Sequence, residues 1–432
     1  MKEHESKKIY ITNYFGILFV ATLCLMFVML LEGHKLVPFI LIITGVYTII
    51  KVYIKDRLLM TPISIFSLIW LILTPICSFE YPLMREMSNF EWEIVLEFLI
   101  AFSFGAILAG NVKRIKVKEK KELTTRTKGL NYSILFISVI SLIALFISFG
   151  GIPLFQSDAN IGKASFRSAS NFSDILNLLS YFGSASILVF FLDDVTIIKN
   201  KNFVMLSLLY MGLLILSGER FFVTVLIILC MFSFCKTVVD KEFLKKILLI
   251  VVCVLGIFIF ILQFRGNAEQ KEKYFIDTGI YKGDAQLLVN TEIFRYLGMQ
   301  ERVLTKTFEK IQPGMTKGTL TLAPILKLFG IKPLPIPDVQ IYGYTAKTII
   351  TKVYSDFGYL WLGAIAMISF IINISYITFS RKNSIFSQYM TVLWLMFLLF
   401  SFYSYFDNLI LFFLHFIVYV LFIEITNNIK RR

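Results

Sequence analysis

The chain has 432 residues, of which 57% are hydrophobic and only 17% are charged, against about 25% charged residues in a typical soluble domain. A water-soluble protein of this length could not bury that much apolar surface, because soluble domains need a polar exterior. The composition therefore excludes a soluble enzyme, a disordered chain and a nucleic-acid-binding domain with an apolar tail. It indicates an integral membrane protein with a formal net charge of +14.

Apolar stretches recur along the whole chain. A membrane-spanning helix needs about 20 mainly apolar residues, and by that criterion the sequence predicts an all-α polytopic membrane protein with about twelve transmembrane helices. The predicted spans are residues 13–31, 36–54, 61–79, 92–110, 131–149, 174–192, 203–217, 221–238, 246–264, 355–377, 386–404 and 408–425. The first span is expected to be retained, because no small-residue cleavage site of a signal peptide follows it.

The distribution of Lys and Arg predicts the orientation of these spans. With the N-terminus inside, the inner segments hold 25 of the 43 Lys and Arg, the short outer segments hold 5, and residues 265–354 hold 13. Orientation follows the charge of short loops, whereas loops longer than about 60 residues count little. We therefore expect both termini in the cytoplasm. Much of the positive charge is then an orientation signal, and nucleic acid is not an expected partner.

A long outer segment divides the chain into three predicted parts. The parts are residues 1–264 with nine spans, residues 265–354 as a large, partly helical outer loop, and residues 355–432 with three spans. Within the loop, apolar residues at helical spacing predict an amphipathic helix over 284–310. Residues 319–329 are expected to form a short interfacial helix. Prolines at every second position predict an extended run over 331–338.

Arginines occur at the predicted outer face. Arg220 lies in a very short connection between two spans, Arg265 closes the ninth span, and Arg167 lies in the outer loop 150–173. Arg295 and Arg302 share one face of the predicted loop helix because they are seven residues apart. The planar guanidinium group matches phosphate oxygens, so these residues indicate a pocket for an anionic headgroup. The alternative is that they snorkel to the interface or lie in solvated loops.

Three carboxylates lie beside these arginines or at other outer turns. Asp356, in Tyr354-Ser355-Asp356-Phe357-Gly358, is expected at the N-terminus of the tenth span, where the helix dipole favours a carboxylate. Tyr354 of the same motif is a candidate substrate-binding residue. Asp407 is either a turn residue or a carboxylate facing the pocket, and Glu219 either orients Arg220 or acts as a base.

Neither a metal site nor a cofactor site is expected. The chain has only three His, and none of its five Cys has metal-ligand spacing with a His. The five Cys fall in apolar stretches or at their ends, as is typical of small buried hydrophobic residues. Any group-transfer chemistry would then rely on Arg to neutralise phosphate.

The combination of these features resembles the Wzy-type oligosaccharide repeat-unit polymerases, which assemble bacterial O-antigen and capsular polysaccharide. The resemblance rests on twelve spans, a large outer loop before the tenth, and four short motifs. The motifs are Gly150-Gly151-Ile152-Pro153-Leu154, Ser217-Gly218-Glu219-Arg220, Phe264-Arg265 and Tyr354-Ser355-Asp356-Phe357-Gly358. The resemblance implies a GT-C-like membrane-embedded fold in the bacterial plasma membrane.

The resemblance also implies a reaction. A growing glycan on undecaprenyl pyrophosphate is transferred to a new lipid-linked repeat unit at the outer membrane face, without a metal ion. Arg220 and Arg265 match the family's pyrophosphate-binding arginines best, and Arg167 is a weaker third. Asp356, Asp407 or Glu219 would accept the proton. Expected partners are the lipid-linked oligosaccharide and, in the membrane, a chain-length regulator and a flippase.

Three other functions remain open at this point. O-antigen ligases use a His in the large outer loop, and this chain has no His between residues 35 and 414. A transporter or flippase of lipid-linked sugars would place charged groups near the membrane midplane, whereas the predicted spans carry almost no charge there. The third alternative is a non-catalytic assembly partner in the same pathway.

Overall fold

The structure is a computed structural model, and all regular secondary structure in its described residues is helical. The described residues are 2–31, 34–56, 61–79, 87–110, 123–155, 165–166, 173–193, 200–218, 220–233, 304, 308–309, 311–322, 326, 331–332, 334, 348–380, 384–402 and 406–429. The α-helices, in chain order, are α1 (Lys2–Leu31), α2 (Val37–Asp56), α3 (Pro62–Phe66), α4 (Thr74–Ser78), α5 (Asn89–Gly110), α6 (Thr125–Phe149), α7 (Ser173–Asp193), α8 (Lys201–Leu216), α9 (Arg220–Ser233), α10 (Ile349–Phe357), α11 (Trp361–Phe379), α12 (Ile385–Leu399) and α13 (Phe406–Ile429).

Among the described residues, six helical segments are long and apolar enough to cross a membrane. They are Ile11–Leu30, Val37–Ile54, Asn89–Gly110, Thr125–Phe149, Ile175–Asp193 and Ile349–Phe379. Shorter apolar helices occupy Pro62–Ile76, Lys201–Leu216, Ile385–Leu399 and Phe416–Ile429. The prediction of an all-helical, multi-pass membrane protein is thus confirmed. The count of about twelve crossings stays a prediction. The predicted span 246–264 lies outside the described residues.

Polar side chains set the beginnings of several helices. The side chains of Thr124, Asn200 and Thr348 each accept a hydrogen bond from the backbone N–H three residues later, at the starts of α6, α8 and α10. Such caps satisfy N–H groups that the first helical turn cannot pair internally. Helix α6 ends at Gly150, whose φ of 72° suits glycine at a helix C-terminus.

The described chain folds as two compact units. The first unit comprises Met1–Ile115, Ala268–Thr378 and Phe397–Leu411, and the second comprises Lys116–Asn267, Phe379–Met396 and Phe412–Arg432. In the first unit, the rings of Phe66 and Phe102 stack with centroids 4.2 Å apart. Ser369 Oγ on α11 donates to the carbonyl oxygen of Phe102 on α5 at 2.6 Å. Helices α5 and α11 are therefore in close contact.

A network of neutral polar side chains lies inside the second unit. Asn131 on α6 donates to the carbonyl oxygen of Ser186 on α7 at 3.1 Å, and Ser186 Oγ donates back to the carbonyl oxygen of Asn131 at 2.7 Å. The Tyr419 hydroxyl on α13 donates to Asn131 Oδ1. The Tyr210 hydroxyl on α8 donates to the carbonyl oxygen of Ser180 at 2.6 Å. Hydrogen bonds of this kind hold membrane helices together where no water competes.

The predicted third span, 61–79, is helical but not a regular α-helix. Helices α3 and α4 flank a π-helix, Ser67–Leu73, in which the Thr74 N–H bonds to the carbonyl oxygen of Ile69. The π-helix contains Trp70, whose indole Nε1 donates to Ser401 Oγ at 2.8 Å. Because Trp70 is fully buried, this bond satisfies a donor that would otherwise lack a partner in the core.

Candidate functional site

Helix α10 is a short helix that is buried on all sides. It begins at Ile349 after the Thr348 cap, and every residue from Ile349 to Asp356 is buried. Two of these residues are ionisable: Lys352 and Asp356 are 6% and 4% exposed. Lys and Asp are rarely buried to this extent unless they are paired. The burial of two ionisable side chains therefore singles out α10 as a candidate site.

The Asp356 carboxylate accepts four hydrogen bonds from a segment more than thirty residues earlier in the chain. Thr316 Oγ1 donates to Oδ1 at 2.6 Å, and the Leu320 N–H donates to the same oxygen at 3.1 Å. Oδ2 accepts from the N–H of Thr321 at 2.6 Å and from its Oγ1 at 2.5 Å. We call residues 311–322 the anchored segment, because this carboxylate fixes it to α10.

Backbone hydrogen bonds reinforce the anchor from the opposite direction. The Gly314 N–H donates to the carbonyl oxygen of Tyr354 at 3.3 Å, and the Thr316 N–H donates to that of Ser355 at 3.1 Å. Both carbonyls belong to the last turn of α10, where intrahelical hydrogen bonding ends. The Tyr354 carbonyl also accepts a hydrogen bond from the Gly358 N–H. The anchored segment therefore supplies part of the C-terminal cap of α10, while Asp356 caps N–H groups of the anchored segment.

Two glycines allow this close approach. Gly358 has φ 55° and ψ −128°, a conformation that is essentially restricted to glycine. A Cβ atom on Gly358 would lie 3.1 Å from the backbone nitrogen of Gly314 and 3.1 Å from Pro313. Gly314 itself has φ 72°. The chain thus turns sharply at Gly358, so that α10 ends there and α11 starts at Trp361.

This geometry corrects the prediction for Asp356. The sequence predicts Asp356 at the N-terminus of a span over 355–377, but the residue lies in the last turn of α10, and that helix begins at Ile349. The prediction failed because Gly358 breaks the apolar stretch into two helices. The expectation that Asp356 caps N–H groups applies to the anchored segment and not to its own helix.

The anchoring bonds also bear on the proposed role of Asp356 as a base. An ionised carboxylate has about four lone-pair sites, and four donors from the anchored segment occupy them. A substrate hydroxyl would have to displace one of these donors before Asp356 could accept its proton. Positioning of the anchored segment, rather than proton transfer, is the role that this arrangement supports.

Aromatic rings pack beside the anchor. The ring of Tyr354 stacks on that of Phe308 with centroids 4.0 Å apart, and Phe308 also contacts Phe90 and Trp361 edge-on at 6.1 and 6.2 Å. Tyr354 is buried, so a substrate could reach its ring only after these side chains move. Phe308 belongs to the predicted amphipathic helix, and the described residues of that stretch are helical, with Leu304 buried.

Arg220 is the first residue of α9. It follows a tight turn at Gly218, whose φ is 83°, so its backbone is part of a helix N-terminus.

Asp407 lies in the first turn of α13, which corrects its predicted place in the connection before the last helix. An acidic residue at that position is favoured by the helix dipole. For both residues the structure describes the backbone alone.

The other predicted site residues lie outside the described residues. They are Arg167, Glu219, Arg265, Arg295 and Arg302. The predicted pocket for an anionic headgroup, to which Arg220 and these arginines would contribute, therefore remains a prediction. Within the described residues, no group of three His, Cys, Asp or Glu side chains is placed to hold a metal ion.

Sequence reasoning missed Thr316, Thr321 and Lys352. The two threonines carry no motif of their own, and only their contacts with Asp356 identify them. A signal for Lys352 was available, because it stands four residues before Asp356 and on the same helix face.

A scan of the sequence against protein-family models finds no match, and neither does a search of curated proteins or one of solved structures.

Proposed function

We propose that this protein is a metal-independent glycosyltransferase that polymerises undecaprenyl-pyrophosphate-linked oligosaccharide repeat units into O-antigen or capsular polysaccharide. Its place would be the bacterial plasma membrane, with both termini in the cytoplasm and the reaction at the outer face. About twelve crossings and a GT-C-like fold are part of the proposal. The support comes from the multi-pass helical architecture, the outer arginines and the four short motifs.

The observation that carries the proposal is the position of Arg220 as the first residue of α9. Unpaired backbone N–H groups and the helix dipole make a helix N-terminus favourable for an anion. A guanidinium group at the same point adds a permanent positive charge and a planar set of donors. The lipid-linked diphosphate of the proposed donor is an anion of the kind that such a site could bind.

In the proposed reaction, a hydroxyl oxygen of the acceptor sugar forms a bond to the anomeric carbon of the donor. The bond between that carbon and the diphosphate oxygen breaks, and the diphosphate leaves with the electron pair. Arg220 and Arg265 stabilise the growing negative charge, with Arg167, Arg295 and Arg302 as further candidates. Removal of one comparable donor costs about 3–4 kcal/mol in other enzymes. Direct attack would invert the anomeric configuration.

The proton of the attacking hydroxyl needs an acceptor. Asp407 and Glu219 are the two remaining candidates from the sequence. Asp356 would contribute by fixing the anchored segment beside Tyr354, and Tyr354 would contact the substrate only after a rearrangement of its aromatic neighbours. Proposed partners are the lipid-linked oligosaccharide and, in the same membrane, a flippase and a chain-length regulator.

The test is complementation of a strain in which the gene has been deleted. Arg220→Ala and Arg265→Ala should abolish long polysaccharide on a gel, and Arg220→Lys and Arg265→Lys should restore only part of it because Lys lacks the planar fork. Arg126→Ala removes an exposed arginine from the first turn of α6 and is the matched control. All variants must reach the membrane at wild-type level.

The same strain separates polymerase from flippase. Loss of a polymerase leaves single repeat units displayed on the outer surface, whereas loss of a flippase leaves none there. Long polysaccharide from both alanine variants would refute the arginine assignment. Absence of surface repeat units in the deletion strain would refute polymerase activity and favour transport.

A further inference from the structure

Helix α11 is the part of the apolar segment Ile349–Phe379 whose length fits across a membrane. It has 19 residues and is therefore about 28 Å long, which matches the hydrocarbon core of a bilayer at about 30 Å. The chain N-terminal to it turns at Gly358, and the helix that precedes this turn is wholly buried. Trp361 therefore lies close to one surface of the membrane, and this is the outer surface in the orientation proposed above.

The hydrogen bonds to Asp356 hold residues 311–322 near the start of α11 at Trp361. Asp356 is five residues before Trp361 and accepts hydrogen bonds from Thr316, Leu320 and Thr321. Five residues reach at most about 18 Å even when fully extended, and the backbones of Gly314 and Gly358 are in contact. The anchored segment consequently lies within this reach of Trp361, on the side of α11 where the helix begins.

Three large apolar side chains project from this region into solvent. Leu322, Ile331 and Leu334 are 49%, 52% and 43% exposed. Hydrogen bonds tie them to the anchor. The Leu334 N–H donates to the side-chain Oγ1 of Thr319 at 3.0 Å. Between backbone groups, the Leu326 N–H donates to the Leu322 carbonyl at 3.0 Å, and the Ile331 N–H donates to the Leu326 carbonyl at 2.9 Å. Apolar exposure of this kind is costly in water.

Two exposed lysines accompany these apolar side chains. Lys317 lies in the anchored segment, and Lys332 follows Ile331 directly. Large apolar residues enter the boundary between headgroups and acyl chains, while Lys extends its ammonium group to lipid phosphates. The combination matches the surface of an anionic leaflet in both polarity and charge.

We propose that Lys317, Leu322, Ile331, Lys332 and Leu334 form an interfacial membrane-binding surface. The three apolar side chains insert into the boundary of the leaflet that α11 enters, and the two lysines contact its anionic headgroups. The surface thereby keeps the anchored segment flat on the bilayer. This inference makes no use of the arginines and holds whether or not the chain is a polymerase.

The test is a depth measurement on the full chain in nanodiscs that contain anionic lipid. Nitroxide labels are attached to Leu322→Cys, Ile331→Cys and Leu334→Cys in a background without the native cysteines, and collisions with oxygen and with a water-soluble nickel chelate are measured. Labels at all three positions should collide more with oxygen than with the chelate. A label at Glu309→Cys, also exposed, is the matched control and should behave as in water.

Three outcomes would overturn the proposal. Chelate collisions at the three positions equal to those at Glu309→Cys would place them in water. Labels shielded from both reagents would place them in a protein contact, either with a second copy or with another protein. Depth unchanged in zwitterionic nanodiscs and in a Lys317→Glu, Lys332→Glu double variant would refute the contacts with anionic headgroups. Each variant is first checked for wild-type elution on gel filtration, and the result is independent of polysaccharide synthesis.

Discussion

A Cβ atom placed on Gly105 would lie 2.0 Å from the carbonyl oxygen of Ala366, so the backbones of α5 and α11 touch at this point. Membrane helices commonly use small residues for such close packing, because lipid supplies no hydrophobic drive for their association. The adjacent hydrogen bond from Ser369 to the Phe102 carbonyl depends on the same approach. The contact holds α11 in the first unit.

Gly105→Ala should therefore destabilise the protein by about 1–3 kcal/mol, because rigid backbone and not a flexible side chain opposes the added methyl group. The measurement is the midpoint of thermal unfolding in detergent. Gly363→Ala on α11 is the matched control, since no described atom lies within 4 Å of its added Cβ. Equal midpoints for the two variants would show that the helices do not touch at Gly105.

Asp356→Asn should loosen the anchored segment. The amide keeps one acceptor oxygen, but its NH2 group would face two donors, and hydrogen bonds to a charged group contribute about 1.5–3 kcal/mol each. Amide hydrogen exchange at Leu320 and Thr321 should rise by at least tenfold, as followed by mass spectrometry. Thr316→Val removes a single hydroxyl bond and should give a smaller increase. Unchanged exchange in Asp356→Asn would contradict the anchoring role.

Gly358→Ala should interfere with the turn between α10 and α11. Its φ of 55° with ψ of −128° is unfavourable for any residue with a Cβ, at a cost of about 1–3 kcal/mol, and the methyl group would also press on Pro313 and Gly314. We expect a lower unfolding midpoint and faster proteolysis in residues 311–322. Gly212→Ala on α8 should show neither effect.

For an ion pair in the second unit, the two single mutants are expected to lose different amounts of stability. Lys128 Nζ lies 3.0 Å from Asp193 Oδ2, and the Leu123 N–H donates to Oδ1 at 2.8 Å. The Lys128 side chain is 40% exposed and that of Asp193 is 1% exposed. Lys128→Met should cost below about 1 kcal/mol, because solvent screens the pair.

Asp193→Ala should cost more, about 1–3 kcal/mol, since it leaves the buried Leu123 N–H without its acceptor. Denaturant unfolding of the two single variants and the double variant measures the coupling. A larger effect for Lys128→Met than for Asp193→Ala would show that the ion pair, and not the backbone hydrogen bond, dominates at this site.

The helical, membrane-spanning character of the chain could be predicted from the sequence because so many long apolar stretches are incompatible with a soluble domain. The connection between α8 and α9 at Gly218 could be predicted as well, since a glycine and two charged residues interrupt an apolar run there. The boundary before the tenth span was missed for two reasons. Lys352 kept the first turn of α10 out of the apolar count, and Gly358 ends α10 inside the predicted span.

The anchor itself could not be predicted from local patterns. Thr316 and Thr321 lie 40 and 35 residues before Asp356, and neither helical nor strand periodicity extends over such a separation. The π-helix was equally inaccessible, because the residues of 61–79 have the composition of an ordinary apolar helix. Long-range contacts and local distortions of a helix are set by packing, which composition and spacing do not record.

The π-helix at Ser67–Leu73 also has a consequence for single-residue deletions. Its i→i−5 hydrogen bonding accommodates one residue more than a regular α-helical turn, so α3 and α4 are rotated relative to each other by roughly 100° compared with an uninterrupted helix. Loss of one residue between Ser67 and Leu73 would let the segment become a continuous α-helix. The indole of Trp70 would then lose its hydrogen bond to Ser401. Deletion of one residue is therefore expected to change the orientation of α3 relative to α4.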